Sequence, residues 1–146
     1  MEKELAEHLK KCLANTFCFY LKAHNYHWNV EGIHFSQLHA FFGELYNETW
    51  SAVDSIAEQI RTLEAYAPGS LKRFAELTDI EDELIVPTAT EMVVRLKNDN
   101  QKVINCLKEA QKLAQKADAV GIDNFLQDRI DIHFKHHWML TAISKV

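Results

Sequence analysis

The sequence contains little glycine and proline, with four and two residues respectively among 146. Both residue types end helices and form tight turns, so their scarcity favours a few long helices over a sheet of many short strands. No apolar run reaches the roughly 20 residues that a membrane-spanning helix needs. The chain is long enough to bury a sizeable core, and we predict a single domain over residues 1–146.

Basic residues are also too few to give the chain a positive balance. Lysine and arginine number 16 against 21 acidic residues, for a formal net charge of −5. This balance argues against a generally basic nucleic-acid-binding surface. The start, MEKELAEHLKK, is charged and lacks the apolar segment of a signal peptide, which predicts a cytoplasmic protein.

Cysteine is scarce as well, and its spacing is uninformative. Cys12, Cys18 and Cys106 form no recognised metal-binding motif. An odd number of cysteines fits reduced thiols in a reducing compartment better than a disulfide framework. We therefore expect all three to be small core or surface residues.

What the sequence does contain is helical periodicity. Apolar residues recur at spacings of three and four from about Glu4 to Val30 and from about Phe35 to Ala65. Gly32 lies between these stretches and permits a reversal, so the two predicted helices should pack as an antiparallel hairpin. Two further periodic stretches run from about Thr90 to Ala117 and from Ile122 to Lys145.

The connection between the second and third predicted helices is unusually long. It begins with a turn signal at 66–70 and ends near Pro87, and Leu71–Leu77 could form a short helix within it. A segment of that length can cross the bundle and return the chain to its far end. The pattern predicts an all-α four-helix bundle with one long crossover and a short extra helix in it.

Four residues in the first hairpin are candidate metal ligands: His27, His39, Asp54 and Glu58. Imidazole nitrogens and carboxylate oxygens suit iron or another first-row metal. Asp54 and Glu58 are one helical turn apart on one face, so both can reach one ion. His39 and Asp54, however, are about 22 Å apart along a continuous helix. Either the two pairs are unrelated, or a second copy of the chain completes the site.

Simpler interpretations exist for each group. The acidic pair could be a solvated helix face, with Glu58 in a surface ion pair with Arg61, and the histidines could be structural. An internal di-iron site needs Glu-x-x-His pairs on two helices, but the single such spacing, Glu31 to His34, falls in a predicted turn. Nucleophile-elbow and phosphate-binding glycine motifs are absent from the sequence.

The motif KAHNYHWNVEGIHFSQLH, followed by DSIAE at 54–58, YAPGSL and the closing HHWMLTA, resembles the Dps family of mini-ferritins. The resemblance implies a ferritin-like bundle and a hollow dodecamer that oxidises Fe(II) with hydrogen peroxide or O2 and stores ferric mineral. It also implies an iron site between subunits, with His27 and His39 from one chain and Asp54 and Glu58 from its partner. Trp28 would lie beside that site.

One position departs from the family pattern. Gly43 stands where the family commonly has an aspartate four residues after the second histidine, and glycine offers no side-chain ligand. We therefore expect one tighter iron position built on Asp54 and Glu58, and a weaker or water-completed second position. His24, about one turn before His27, is a candidate for orienting the site without binding the metal.

The resemblance also suggests a route for iron. Family members line three-fold pores with aspartates near the start of the last helix, and Asp118, Asp123 and Asp128 lie in the matching region. Negative pores would raise the local concentration of cations. For each of these residues, a solvated acidic side chain or a helix cap is an equally ordinary interpretation.

Many members of the family bind DNA through a Lys/Arg-rich extension before the first helix. Here the first predicted helix starts within a few residues of Met1, and a shell of twelve chains at −5 each would carry about −60. We expect direct DNA binding to be absent. The competing hypotheses are a nucleoid-associated, DNA-binding protective protein whose metal site is weakened by Gly43, and a shell that holds iron without oxidising it.

Overall fold

A computed structural model describes residues 1–145, which form five α-helices and no strand. The helices are α1 (Glu2–Asn29), α2 (Phe35–Thr62), α3 (Leu71–Leu77), α4 (Ala89–Lys116) and α5 (Val120–Ser144). The predicted all-α bundle, with a short helix in its long connection, is confirmed. The helix ends lie within about three residues of the predicted ones, which is the usual uncertainty of helix boundaries.

The first two helices form the predicted hairpin. The chain reverses at Gly32, whose φ of 115° lies in the left-handed region that glycine adopts without strain. Helix α1 also packs against α4 and α3, and α4 packs against α5. This arrangement brings the end of α1 beside the start of α2, where the candidate histidines lie.

The four long helices enclose one hydrophobic core. Its fully buried large side chains come from α1, α2 and α4, and include Leu5, Leu9, Leu13, Phe19, Tyr26, Phe42, Leu45, Ile56, Ile60, Met92, Leu96 and Ile104. Their spacing of three and four residues is the helical period, as the sequence indicated. Among the helices of residues 1–145, none is both long and apolar enough to cross a membrane.

Polar contacts fix the long connection to α1. The buried Asn15 Oδ1 accepts hydrogen bonds from Thr78 Oγ1 and from the Asp79 backbone N–H, each 2.7 Å long. Further along α1, the Lys22 ammonium donates to the Glu81 carbonyl at 2.9 Å and forms a buried ion pair with Asp99 at 2.8 Å. The connection between α2 and α4 is therefore held to α1 by hydrogen bonds at residues 78, 79 and 81.

Candidate functional site

His27 and His39 meet where α1 ends and α2 begins. Their rings stack with centroids 3.8 Å apart and planes 16° from parallel. His27 Nδ1–H donates to the His39 carbonyl, and His39 Nδ1–H donates to the His27 carbonyl, both at 2.6 Å. With the proton of each ring on Nδ1, both Nε2 atoms keep their lone pairs for a ligand. This is the hydrogen bonding that orients metal-binding histidines in proteins.

The backbone of Gly43 lies close to the His27 ring. A Cβ added at Gly43 would lie 3.2 Å from both Cε1 and Nδ1 of His27, closer than nearly all real Cβ contacts. The Gly43 carbonyl accepts a hydrogen bond from Asn47 Nδ2 at 2.8 Å. The place where the resemblance leads one to expect an aspartate side chain is therefore covered by the His27 ring, and is not an empty space.

His24 belongs to an aromatic cluster beside His27. Its ring stacks on Tyr46 with centroids 3.8 Å apart, and its Nδ1 lies 2.9 Å from the Tyr20 hydroxyl. The Trp28 ring also packs against His24, with ring centroids 4.0 Å apart, although 59% of Trp28 is exposed. The ring centroids of Tyr46 and His27 are 5.2 Å apart. His24 is therefore linked to His27 through the packing of Tyr46, without a hydrogen bond to the His27 ring.

Asp54 and Glu58 project from the middle of α2 into solvent. A hydrogen bond shared with Asp54, together with the repulsion of its charge, raises the pKa of Glu58. Arg61 is turned away from this pair, because its guanidinium donates to the Ala65 carbonyl at 2.8 Å and lies over the Tyr66 ring. The interpretation of Glu58 as the partner of Arg61 in a surface ion pair is wrong.

The structure brings together His27 with His39, and Asp54 with Glu58, but leaves the two pairs apart. Helix α2 is continuous from Phe35 to Thr62, so fifteen residues separate His39 from Asp54 by about 22 Å. Exposed aromatic side chains accompany both pairs, including Trp50, of which 54% is exposed. One chain thus presents a histidine pair and a carboxylate pair, separated along α2, on a surface that also exposes aromatic side chains.

The three candidate pore aspartates lie around the junction of α4 and α5. Asp118 is exposed and has a φ of 53°, and Asp128 is exposed on α5. Asp123 accepts hydrogen bonds from the amides of Gln127 and Gln111, both at 2.9 Å, and these bonds lower its pKa. Within one chain, over residues 1–145, the carboxylates of the three do not converge on a common point.

A buried polar network was missed by the sequence interpretation. The Glu48 carboxylate of α2 accepts hydrogen bonds from the Arg129 guanidinium at 2.5 and 3.1 Å and from His136 Nε2 at 2.8 Å. Burial alone would raise its pKa, but the bonds from His136 and Arg129 hold the pKa of Glu48 at about 2. The guanidinium therefore supplies the positive charge that this interior carboxylate needs.

The network continues into α4 through a neutral histidine. Arg129 donates to His133 Nε2 at 2.9 Å, and His133 Nδ1–H donates to Asn100 Oδ1 at 2.7 Å. Burial, and then the charge of Arg129, lower the pKa of His133. The spacing of Arg129, His133 and His136 between the buried Leu126 and Leu140 was the sequence signal for a polar stripe inside the bundle.

A second missed cluster joins α1 to α4. The sulfur atoms of Cys12 and Cys106 lie 2.8 Å apart, and His8 Nε2 lies 3.7 Å from the Cys106 sulfur. Cys12 and Cys106 are buried core residues and Cys18 is half-buried, as expected, but the contact between the first two was not predicted. Cys12 and Cys106 are 94 positions apart, so no local spacing could have indicated the contact.

Known proteins with similar sequences share this helical architecture. A sequence model of the family described as "Ferritin-like domain" matches residues 6–145. A curated relative from Bacillus anthracis, "DNA protection during starvation protein 2", is 32% identical over 142 residues, which cover 97% of both chains. The crystal structure of a Dps protein from Bacillus brevis superposes with a TM-score of 0.94 at 32% identity, over 99% of this chain and 97% of the other.

A third similar protein carries a chemical description. The crystal structure of the Dps protein from Vibrio cholerae superposes with a TM-score of 0.95 at 28% identity, over 99% of this chain and 91% of the other. That protein is described as a member of a broad superfamily of ferritin-like diiron-carboxylate proteins. The similarity in each case extends over almost the whole length of both chains.

Proposed function

The chain belongs to the ferritin-like domain family, among its Dps proteins, and from that premise we propose that it is a cytoplasmic iron-storing ferroxidase. In this proposal twelve copies form a hollow shell, Fe(II) is oxidised by hydrogen peroxide or O2, and ferric mineral is stored inside. Removing Fe(II) and peroxide together would protect the cell against oxidative damage. The description of the Vibrio cholerae relative as a diiron-carboxylate protein supports iron as the metal.

The observation that carries the proposal is the reciprocal hydrogen bonding of the two histidines. Each imidazole donates Nδ1–H to the backbone carbonyl of the other residue, so His27 and His39 hold their rings in place without using Nε2. This geometry supports a site that receives a metal ion from outside the chain.

A second copy of the chain supplies the missing carboxylates in this proposal. In a two-fold symmetric dimer, residues that meet from one chain to the other also meet in the reverse sense. The histidine pair of each chain would then face Asp54 and Glu58 of its partner, giving two equivalent sites per dimer. The exposed Trp28 and Trp50 near the half-sites support a buried interface at this surface, because isolated chains rarely expose such aromatic groups together.

The residues divide the chemistry between them. Asp54 and Glu58 provide hard anionic oxygens, which favour Fe(III) over Fe(II), and the histidine Nε2 atoms complete the coordination. Each peroxide accepts two electrons, one from each of two Fe(II) ions. Because Gly43 offers no ligand, we propose one tighter iron position and a second one completed by water.

Complementation between variants tests whether the site is shared. Neither His27→Ala/His39→Ala nor Asp54→Asn/Glu58→Gln should oxidise Fe(II) above the rate of free iron in stopped-flow absorbance assays. When the two variants are coexpressed, each mixed dimer regains one site with both wild-type halves. Random pairing should then restore about a quarter of the wild-type rate. Glu44→Gln, an exposed acidic change on the same helix, should keep the wild-type rate.

The outcomes separate the competing functions. Equal oxidation rates in the wild type and both double variants would leave only a shell that holds iron without oxidising it. Inactive variants that fail to complement one another would contradict a site shared between two chains. Size-exclusion chromatography should give a mass near twelve times the 16.9 kDa of one chain.

Protection in this proposal acts through iron and not through direct DNA binding. The relative from Bacillus anthracis is named for DNA protection, but the net charge of −5 per chain repels phosphates at a distance. A gel-shift assay at low and moderate salt tests this point. A tight complex that survives moderate salt would favour the DNA-binding alternative.

A further inference from the structure

Three side chains of the kind that bind soft metal ions converge between α1 and α4. His8 and Cys12 lie one turn apart on one face of α1, and Cys106 comes from α4. Their ligand atoms all lie within 4.8 Å of one another, and in the part of the chain the structure describes no other three His, Cys, Asp or Glu residues do so. We propose that His8, Cys12 and Cys106 form a binding site for Zn²⁺.

The spacing of the ligand atoms is close to what zinc requires. Zn–S bonds of about 2.3 Å and Zn–N bonds of about 2.0 Å in a tetrahedral site place neighbouring ligand atoms roughly 3.5–3.8 Å apart. His8 Nε2 and the Cys106 sulfur are already 3.7 Å apart, and the two sulfur atoms are 2.8 Å apart. Zinc binding therefore requires the sulfurs to separate by about 1 Å, which small rotations about χ1 provide.

Charge and burial favour a divalent ion. Cys12 and Cys106 are 1% and 5% exposed, and a buried thiolate is costly without a positive partner. The nearby Lys11 is already paired with Asp79 at 3.2 Å. Two thiolates with Zn²⁺ form a neutral unit, whereas Cu⁺ would leave a negative charge in the interior.

His8 gives the ion a route into the site. Its Nε2–H now donates to the Cys106 carbonyl at 3.0 Å, and this proton must leave before the nitrogen can bind a metal. The carbonyl loses little, because it lies within α4 and keeps its helical N–H partner at Ala110. His8 is half-buried, so its outer edge reaches solvent, and water can take the fourth coordination position.

The site is distinct from the proposed ferroxidase site. Fifteen residues separate Cys12 from His27 along the continuous α1, which is about 22 Å within one chain. An ion held by α1 and α4 would join two helices that are far apart in sequence and stabilise the native bundle over the unfolded chain. The site's role would therefore be structural, and independent of whether the chain oxidises iron.

Cobalt is the probe that distinguishes this site from the histidine–carboxylate site. Co²⁺ bound to thiolates gives a sulfur-to-cobalt charge-transfer absorption, which a site of nitrogen and oxygen ligands cannot give. Titration of the reduced, metal-free, full-length protein under anaerobic conditions should produce this band and saturate at about one Co²⁺ per chain. Added Zn²⁺ should displace the cobalt and remove the band.

Variants locate the band on the three residues. Cys106→Ser should abolish it, and His8→Gln should weaken Co²⁺ binding by at least about tenfold. Cys18→Ser, a change to the half-buried cysteine outside the cluster, is the matched control and should behave as wild type. Asp54→Asn/Glu58→Gln should also keep the band. Circular dichroism checks that each variant folds, and His8→Gln carries the test if Cys106→Ser does not.

The proposal fails if reduced wild-type protein gives no charge-transfer band, or if the band survives in Cys106→Ser. It also fails if peroxide removes two thiols per chain while Co²⁺ and Zn²⁺ do not bind, because the cysteines would then be a redox pair. In the Asp54→Asn/Glu58→Gln background, Zn²⁺ should raise the Tm, and adding His8→Gln should remove most of that rise.

Discussion

Two groups of histidine and carboxylate residues in this chain differ in whether a basic side chain neutralises the carboxylate. Inside the bundle, Glu48 lies against Arg129 and His136, and the guanidinium neutralises its charge permanently. Two nitrogen atoms of this network, Arg129 Nε and His136 Nδ1, lack a partner among the atoms of residues 1–145. The charges of this network therefore neutralise one another, although two of its nitrogen atoms make no hydrogen bond within the part of the chain that the structure describes. We call it the closed network.

On the surface of α1 and α2 the same residue types have no neutralising partner within residues 1–145 of the chain. We call these four residues, His27, His39, Asp54 and Glu58, the open site. His27 and His39 use one ring nitrogen each to fix their position, and Asp54 and Glu58 face solvent with no basic partner nearby on α2. The difference is the source of the positive charge. Where arginine supplies it the residues become structural, and where it must come from outside they can bind and exchange a metal ion.

Removing the built-in charge should have the largest effect. Arg129→Met leaves the half-buried Glu48 carboxylate without its ion pair, and we expect the free energy of unfolding to fall by about 3 kcal/mol. Urea denaturation followed by circular dichroism, at one fixed protein concentration, measures the loss. The double variant Glu48→Gln/Arg129→Met should lose less than Arg129→Met alone. If both lose equally, packing of the Arg129 side chain and not the buried charge is what stabilises the bundle.

The same network should set the acid stability of the protein. The folded pKa of Glu48 is about 2, below its ordinary value of 4.5, so the unfolded chain takes up the proton first as the pH falls. The stabilisation is present above pH 4.5 and is lost as the pH falls through 2, by up to about 3 kcal/mol. Glu48→Gln should flatten the dependence of the unfolding free energy on pH over this range. An unchanged slope would show that other carboxylates dominate acid unfolding.

The fold followed from the sequence because its signals are local. Helix spacing, the turn at Gly32 and the breaks at Pro68 and Pro87 act over a few residues, and each predicted helix was found within a turn of its expected ends. The gap of about 22 Å between His39 and Asp54 also follows from the helical rise alone. These features need no knowledge of how the helices pack.

The closed network and the cysteine cluster could not be predicted from local sequence signals. Both depend on which residues of α4 and α5 face α1 and α2, and that is decided by the packing of the whole bundle. Glu48 and His136 are 88 positions apart, and Cys12 and Cys106 are 94 apart. The effect of Gly43 was also hidden, because only the structure places the His27 ring against it.

The packing of Gly43 against His27 gives a smaller effect, on the open site. Gly43→Ala introduces a Cβ 3.2 Å from the His27 ring, which must shift and lengthen its bond to the His39 carbonyl. We expect Fe(II) oxidation to slow by about 3–10-fold, equivalent to about 1 kcal/mol. Stability should change little, because alanine favours the helix by about 1 kcal/mol and so offsets the displacement.

A second glycine provides the control for this prediction. Gly121 lies in the first turn of α5, and a Cβ added there meets no atom within 4 Å. Gly121→Ala should therefore keep the wild-type oxidation rate and be neutral or slightly stabilising. A wild-type rate in Gly43→Ala would mean that the placement of the His27 ring does not limit the reaction. Gly43→Asp should not restore a full second iron position, because its side chain has to displace the same ring.

The smallest expected effect is on the stability of the open site. Asp54 and Glu58 are exposed, and a hydrogen bond shared with Asp54, together with the repulsion of its charge, raises the pKa of Glu58, so neither contributes to the native fold as Glu48 does. Asp54→Asn/Glu58→Gln should leave the free energy of unfolding nearly unchanged, although we expect it to abolish iron oxidation. Urea denaturation of this variant and of Arg129→Met at equal protein concentration makes the contrast direct. A loss of several kcal/mol in the carboxylate variant would mean that the surface pair, like the buried network, has become part of the structure.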